Sequence, residues 1–329
     1  MNKRGSVLII VLWSLFLLAM LAVAVQSYVM PQVALSVKLL GRAKMRSIAN
    51  AGVERAILEI ENDDTELYDS LHDSWSAHSE AFDHVRVGDG FFSVVKDKPS
   101  LRAPQEYGLT DEEGTINLNK ASRDVLKNLF EKVAGVESEN ADALADSIID
   151  WRDADDVKQR NGKENDYYQS LDHPYDCKNS DFEIVDELLL VGGMTPEIFD
   201  KIKRHVTVYG DGLVNINTAG VPVLMSLDMD EPLAEKVVRF RTGSGVTKDG
   251  DFASCFFSDS GMIADVLSKG ESLSGDEVAQ IQRVTPLLGV RSDHFRGRVL
   301  GEYLAGGKPE MVTFVYDRKE RILNFWRET

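Results

Sequence analysis

Residues 1–27 read MNKRGSVLIIVLWSLFLLAMLAVAVQS, and the reading of this stretch decides the fold. Lys3 and Arg4 are followed at once by Gly5, and an uncharged run then extends from Ser6 to Val25. As a helix, such a run is about 30 Å long, the thickness of a bilayer's hydrocarbon core. Three outcomes are open: a signal peptide that is discarded, an anchor, or a leader trimmed ahead of a retained helix. The basic start and Ala22-Val23-Ala24 suit a secretory signal. The run, however, exceeds the roughly 7–15 apolar residues of a signal's core, and it does not end in a loop. Helical spacing continues through Leu35, Leu39, Leu40, Ile48, Val53, Ala56, Ile57 and Ile60, with Arg42, Lys44, Arg46, Glu54, Arg55 and Glu59 at polar positions. The pattern predicts one long helix, apolar all round at first and amphipathic afterwards. Pro31 allows a kink without ending it, and Gly41 and Gly52 weaken its regularity.

This pattern resembles the N-terminus of type IV pilins and pseudopilins. In that family a prepilin peptidase removes a short basic leader ending in Gly, and the apolar helix stays, first in the membrane and then in a filament core. The resemblance implies cleavage between Gly5 and Ser6. Most members carry a glutamate at the fifth mature position; here that position is Ile10. Its absence is typical of the minor pseudopilin K family of type II secretion, and it spares the membrane an ionisable group. Lys3 and Arg4 favour a cytoplasmic N-terminus, whereas Lys38, Arg42, Lys44 and Arg46 on the other flank oppose it by simple count. The later charges lie on the amphipathic helix rather than in a loop, so the leader reading is preferred.

The chain has 329 residues, room for about two domains. Its formal net charge of −17 argues against nucleic acid, because phosphate binding needs surplus Lys and Arg. The two cysteines, Cys177 and Cys255, lack zinc-type spacing; if the chain leaves the cytoplasm they are disulfide candidates, and otherwise two separate thiols. Residues 62–83, polar with scattered aromatics, read as a connector with room for a short helix. Residues 84–97 carry a hairpin signal around Gly88-Asp89-Gly90, and 107–119 read as turn plus strand. Three strand-like runs, 295–303, 311–316 and 321–326, close the chain.

Between these β segments lies an internal repeat. GTINLNKASRDVL (114–126) matches GLVNINTAGVPVL (212–224) at Gly, both Asn, Ala, Val and Leu, and LADSIIDWRD (144–153) parallels LAEKVVRFRT (233–242). Asn117, Asn119, Asn215 and Asn217 precede helices and are expected to cap them. Each unit resembles a helix-hairpin-helix or SAM-like module, with Val133-Ala134-Gly135-Val136 and Val191-Gly192-Gly193-Met194 as hairpins. Acidic neighbours such as Glu131, Glu137, Glu183 and Glu187 turn that module from DNA toward protein contact.

The most informative stretch is DWRDADDVKQRNGKENDYYQSLDHPYDCKNSDFEIVDE (150–187). A long loop rich in Asp, Asn and Gly buries little apolar surface, so its order needs another source. Calcium, which takes six to eight oxygen ligands, would supply one. The spacing is not that of an EF-hand. The ordered string Asp150-Trp151-Arg152-Asp153-x-Asp155-Asp156, Gly162-x-Glu164-x-x-Tyr167-Tyr168, Pro174-Tyr175, Asn179 and Glu187-Leu188-x-Leu190 is similar to the central region of the pseudopilin K family, whose members bind calcium there. By residue type and position, the candidate ligands are Asp153, Asp155, Asp156, Glu164 and Asn179, with Asp166 and Asp176 in reserve. The histidines are dispersed, and no nucleophile–base pair stands out, so an enzyme is not expected.

The expected fold is α+β: a transmembrane helix continuing into a pilin-like helix packed on an antiparallel sheet, with a large all-α insertion of two helix-hairpin-helix/SAM-like repeats. The expected division is a leader (1–5), the long helix (6–61), a pilin α+β domain (62–118 and 289–329) and the insertion (119–288, repeats about 119–208 and 217–288). The resemblance implies a minor pseudopilin at the pseudopilus tip, anchored in the inner membrane with its C-terminal domain in the periplasm, and partnered by other minor pseudopilins. A minor pilin of a type IV pilus or competence system is the alternative; a secreted calcium-dependent binding protein cleaved after Ala24 is another.

Overall fold

The structure is a computed structural model that describes residues 3–65, 67–96, 105–242, 256–304, 306 and 308–329; side chains are described from residue 7 onward. One helix runs without interruption from Lys3 to Glu61. The uncharged run predicts its first part, and the side chains there stay exposed: Leu8, Phe16 and Leu21 are each more than half accessible. Ser14 and Ser27 donate their hydroxyls to the carbonyls of Ile10 and Val23, so these polar groups are satisfied within the helix.

From Met45 onward the helix has an inside. Met45, Ile48, Ala49, Val53, Ala56 and Ile60 are buried at helical spacing against a six-stranded antiparallel sheet. The strands are β1 (Val85–Val87), β2 (Gly90–Val94), β3 (Thr110–Asp111), β8 (His294–Tyr303), β9 (Glu310–Asp317) and β10 (Ile322–Glu328), and four shorter strands of the central region, β4–β7, fall between β3 and β8 in the chain. The order is β1-β2-β8-β9-β10, with β3 beside the start of β8. Along β8 the residues Phe295, Gly297, Val299 and Gly301 face inward in strict alternation. Gly52, which weakens the helix on propensity alone, has a packing reason: a β-carbon there would lie 2.5 Å from Val299 Cγ1 and 2.8 Å from Phe92. The segment 62–83 does more than connect. It forms two single-turn helices, Ser74–Ala77 and Ser79–Phe82, and inserts Trp75 and Phe82 fully into this core.

A second core spans Ile116 to Leu288. It is mainly helical but not all-α. Each repeat is closed by a two-residue parallel pairing: β4 (Ile116–Asn117) with β5 (Val206–Thr207), and β6 (Val214–Asn215) with β7 (Leu288–Gly289). Helices Arg123–Asn128 and Ser138–Arg152 of the first repeat correspond to Val221–Ser226 and Glu231–Arg241 of the second.

The repeated asparagines do not cap these helices. Ser122 caps the first and Gly220 stands at the second N-cap. Instead, Asn117 Oδ1 accepts from the Asn119 amide and Asn215 Oδ1 from the Asn217 amide, tightening one turn in each copy. Asn119 then exchanges two hydrogen bonds with the backbone of Phe182, as Asn217 does with that of Phe257. Arg152 reaches the carbonyls of Leu118 and Ala121, and Arg241 those of Ile216 and Ala219. The identical wiring accounts for which positions coincide: they are hydrogen-bonding posts that hold the returning chain.

A buried polar cluster joins the two cores. Asn215 Nδ2 donates to Asp111 Oδ2 (3.0 Å), Ser292 Oγ (2.8 Å) and the Asp69 carbonyl (3.2 Å). Asp111 also accepts from Ser292 and Thr218, and Asp69 holds Arg318 through both carboxylate oxygens at 2.9 and 2.8 Å. Burial, first, and then the nearby Glu113 charge push the Asp111 carboxyl well above the usual range.

Candidate metal centre and relatives

The long loop leaves the helix Ser138–Arg152 and is ordered by a short helix, Asn165–Gln169, which Glu164 precedes at its N-cap position. Four side-chain oxygens of this helix end and loop are each buried and without a hydrogen-bond partner among the described residues: Asp150 Oδ2, Asp153 Oδ1, Glu164 Oε1 and Asn179 Oδ1. Buried acceptors are ordinarily paired, and leaving one unmet costs about 1–3 kcal/mol. Four together, on hard oxygen donors, fit the oxygen shell of a hard cation.

The electrostatics agree. Burial, then repulsion from Asp153 and Asp146, raises the Asp150 carboxyl to about 6. Burial, then the charges of Asp150, Asp153 and Asp156, raises Glu164, and Asp153 is raised by burial and by Asp155. These carboxylates are close enough to disfavour one another's ionisation, a strain that a bound cation reverses.

The expected ligands separate on this geometry. Asp153, Glu164 and Asn179 contribute unpaired oxygens. Asn179 sits at φ +48° and donates through Nδ2 to Asp156 Oδ1 at 3.0 Å, which brings Asp156 to the rim. Asp155 is exposed and accepts from the Val157 amide. The reserves Asp166 and Asp176 are exposed and engaged with the Tyr167 amide and the Gln169 side chain. Asp150 is the residue that sequence reasoning passed over. It reads as the end of an amphipathic helix, yet its i, i+3 spacing to Asp153 places both on one face, and that was the available signal. Gly162 lets the loop cross it, since a β-carbon there would lie 1.9 Å from Asp150 Oδ2.

Tyr168 and Tyr175 pack against Trp151, and Tyr167 and Tyr175 against Tyr168, as tilted or edge-on rings that tie the loop to the helix Ser138–Arg152. Cys177 is buried with Sγ 3.6 Å from the Asp150 carbonyl, and burial raises its thiol to about 11. Its expected partner, Cys255, lies outside the described residues.

Residues 105–211, which include this loop, match the family model described as type II secretion system (T2SS), protein K. A type II secretion system protein K of Pseudomonas aeruginosa is 26% identical over 210 residues, covering 62% of this chain and 60% of that protein. Over this region the chain is similar to type II secretion system protein K. A protein K of Pectobacterium carotovorum is 28% identical over 158 residues, 41% of this chain and 48% of the relative. The matched regions therefore span less than two thirds of either relative. In fold, the chain is similar to a chain in the crystal structure of the GspK-GspI-GspJ complex from enterotoxigenic Escherichia coli, with a TM-score of 0.62 at 17% identity over 92% of this chain and 99% of that one. That likeness establishes the mixed architecture: a long apolar helix, a sheet packed on its second half, and a helical body between the strands. The related proteins are secretion-system components by name, and the centre described above offers ligands rather than a nucleophile and base.

Proposed function

We propose that this chain is a minor pseudopilin of a type II protein secretion system that caps the pseudopilus tip and helps initiate its assembly for export of folded proteins. The observation carrying this reading is the single helix from Lys3 to Glu61, bare over its first half and packed on a sheet over its second, in a chain whose centre matches protein K. The bare half is anchored in the inner membrane, with the remainder in the periplasm. A prepilin peptidase cuts between Gly5 and Ser6. The pilin α+β domain comprises 62–118 and 289–329, and the body 119–288, two helix-hairpin-helix or SAM-like units, projects from it. That body obstructs addition of a subunit above, which suits a tip position, and Ile10 fits a subunit that need not pair beneath another. Its partners are other minor pseudopilins, in keeping with the complex that contains the structural neighbour. Calcium fills the centre formed by Asp150, Asp153, Glu164 and Asn179, with Asp156 at its rim. Export would also allow a Cys177–Cys255 disulfide.

Mass spectrometry of the membrane-extracted protein tests the processing. A methylated N-terminal Ser6 is expected; a mature chain beginning at Val25 would overturn the reading. In cells lacking the gene, export of folded substrates should fail and return with the wild-type chain.

A further inference from the structure

A second group of carboxylates lies away from the loop centre, in the connector behind the long helix. One carboxylate oxygen each from Asp63, Asp69 and Asp73 lies within 4.8 Å of the others. The Asp69 and Asp63 side chains are 0 and 6% exposed, and Asp73 is half-buried. Arg318 supplies their positive charge. It grips Asp69 through both carboxylate oxygens, at 2.9 and 2.8 Å, and stands 3.8 Å from Asp63 Oδ2. Three carboxylates against this one guanidinium leave an excess of two negative charges. Asp69 Oδ2 also accepts the Ser292 amide, and Asp73 accepts the Ser70 amide and hydroxyl, one on each oxygen. Asp63 Oδ1 accepts the Thr65 amide and hydroxyl. Asp63 Oδ2 differs: it is buried and accepts no hydrogen bond among the described residues.

A buried carboxylate oxygen without a donor is costly, and so is a buried excess of like charge. Burial raises the Asp69 carboxyl to about 6 even with Arg318 opposing it, and raises Asp73 as well. A divalent cation meets both needs. We infer that Asp63, Asp69 and Asp73 form a second cation site, for a hard divalent ion of the calcium class. Calcium–oxygen distances put ligands on opposite sides of one ion about 5 Å apart, so the three carboxylates are already close enough to share one. Two positive charges balance the excess that Arg318 leaves. Asp73, the least buried of the three, is the side from which an ion enters. Because Arg318 stays beside Asp69, the site is weak and fills at about 10⁻⁴–10⁻³ M, the range of extracellular calcium modules. Its place gives it a role. The Asp69 carbonyl accepts from Asn215 of the second repeat, and Arg318 follows β9 of the sheet. An ion here clips the connector to the junction of the two cores. The site shares no residue with the loop centre, so it stands whether or not that centre holds an ion.

The test uses terbium, a luminescent stand-in for calcium, on the full chain in detergent with the loop centre removed by Asp153→Asn/Glu164→Gln. Tyr68 and Trp75, which flank Asp69 and Asp73 in the chain, serve as antennae. Sensitised emission should saturate and be displaced by millimolar calcium. On that background Asp63→Asn should weaken terbium binding about tenfold or more, because ligand charge sets affinity in such sites. The change disturbs little else, since Asp63 Oδ2 accepts no hydrogen bond, and an unchanged melting temperature in EDTA is the folding control. Asp73→Asn should weaken binding likewise and is the second variant should Asp63→Asn fail that control. Asp64→Asn, on an exposed neighbour outside the cluster, should leave binding intact. Absence of saturable emission from the chain lacking the loop centre, or equal binding by Asp63→Asn, would overturn the inference. So would an equal loss from Asp64→Asn, which would assign the binding to diffuse negative charge.

Discussion

The two copies of the repeat share one scaffold and differ in what it holds. Both wind an Asn-x-Asn turn, both clamp a returning phenylalanine backbone with the second Asn, and both close the turn with an arginine. In the first copy, Asn117 spends its amide on the Tyr209 and Gly210 carbonyls of its own unit, and the chain from Asp150 to Phe182 carries the unpaired oxygens. In the second copy, Asn215 spends its amide on Asp69, Asp111 and Ser292 of the sheet unit. One copy thus holds a loop with unpaired buried oxygens, and the other docks on the sheet. The difference teaches that repeat positions alone do not set roles; the partner each amide meets does.

The sharpest way to break the comparison is to remove the first Asn of each copy. Asn215→Leu leaves buried acceptors at Asp111 and the Asp69 carbonyl short of a donor and should cost about 3 kcal/mol or more. Asn117→Leu exposes less buried polarity and should cost about 1–2 kcal/mol. Denaturant titration of the full chain in detergent checks both. Equal losses would mean that docking on the sheet adds nothing to the second copy.

The centre separates the copies a second way. If it holds calcium, saturating metal at 100 times Kd adds about 2.7 kcal/mol, which a chelator removes. Glu164→Gln should abolish that calcium-dependent rise in melting temperature, whereas a change in the second copy, Asn217→Ala, should leave the size of the rise intact. A melting temperature indifferent to chelator, with no metal found by elemental analysis, would count against calcium.

Much of this was legible from the chain alone, and the reasons are physical. The long helix could be read because an unbroken uncharged run admits few structures, and because Ile48, Val53, Ala56 and Ile60 keep helical spacing into a soluble region. The β strands at the C-terminus could be read from alternation, as at Phe295, Gly297 and Val299. The roles of Asn117 and Asn215 could not, since their partners lie 92 and 104 residues away at Tyr209 and Asp111 and no local pattern names them. Asp150 was hidden inside a helix pattern that ends on the very face where the loop returns. In the connector 62–83 a short helix could be read, but the burial of Trp75 and Phe82 could not, because polar residues outnumber them.

A smaller effect compares the two clamps. Asn119 is half-buried and Asn217 fully buried, though each makes the same paired bonds. Asn217→Ala should cost about 2 kcal/mol and Asn119→Ala about 1, because water can replace part of the latter's bonding. If the loop binds calcium, the Asn119→Ala loss should shrink further when calcium is added, since the ion would order the same loop.

The smallest expected effect lies at the seam where the second copy meets the sheet. His294 stacks on Tyr209, with Nδ1 2.8 Å from Glu113 Oε1 and Nε2 3.4 Å from Asp317 Oδ2. Burial pulls its pKa down, but the hydrogen bond to Glu113 and the charges of Glu113, Asp317 and Asp293 outweigh it, so the net shift is upward. A raised folded-state pKa means that the folded chain holds a proton the unfolded chain gives up. The stabilisation is therefore complete below the unfolded value of about 6.5 and is lost as pH rises through the higher folded value. Stability of the full chain should decline over that interval, and His294→Gln should flatten this part of the profile while leaving the calcium response of the first copy unchanged. A His294→Gln profile that keeps the wild-type slope would place the titrating group elsewhere. A flattened profile would show that the hold of the second copy on the sheet senses protons.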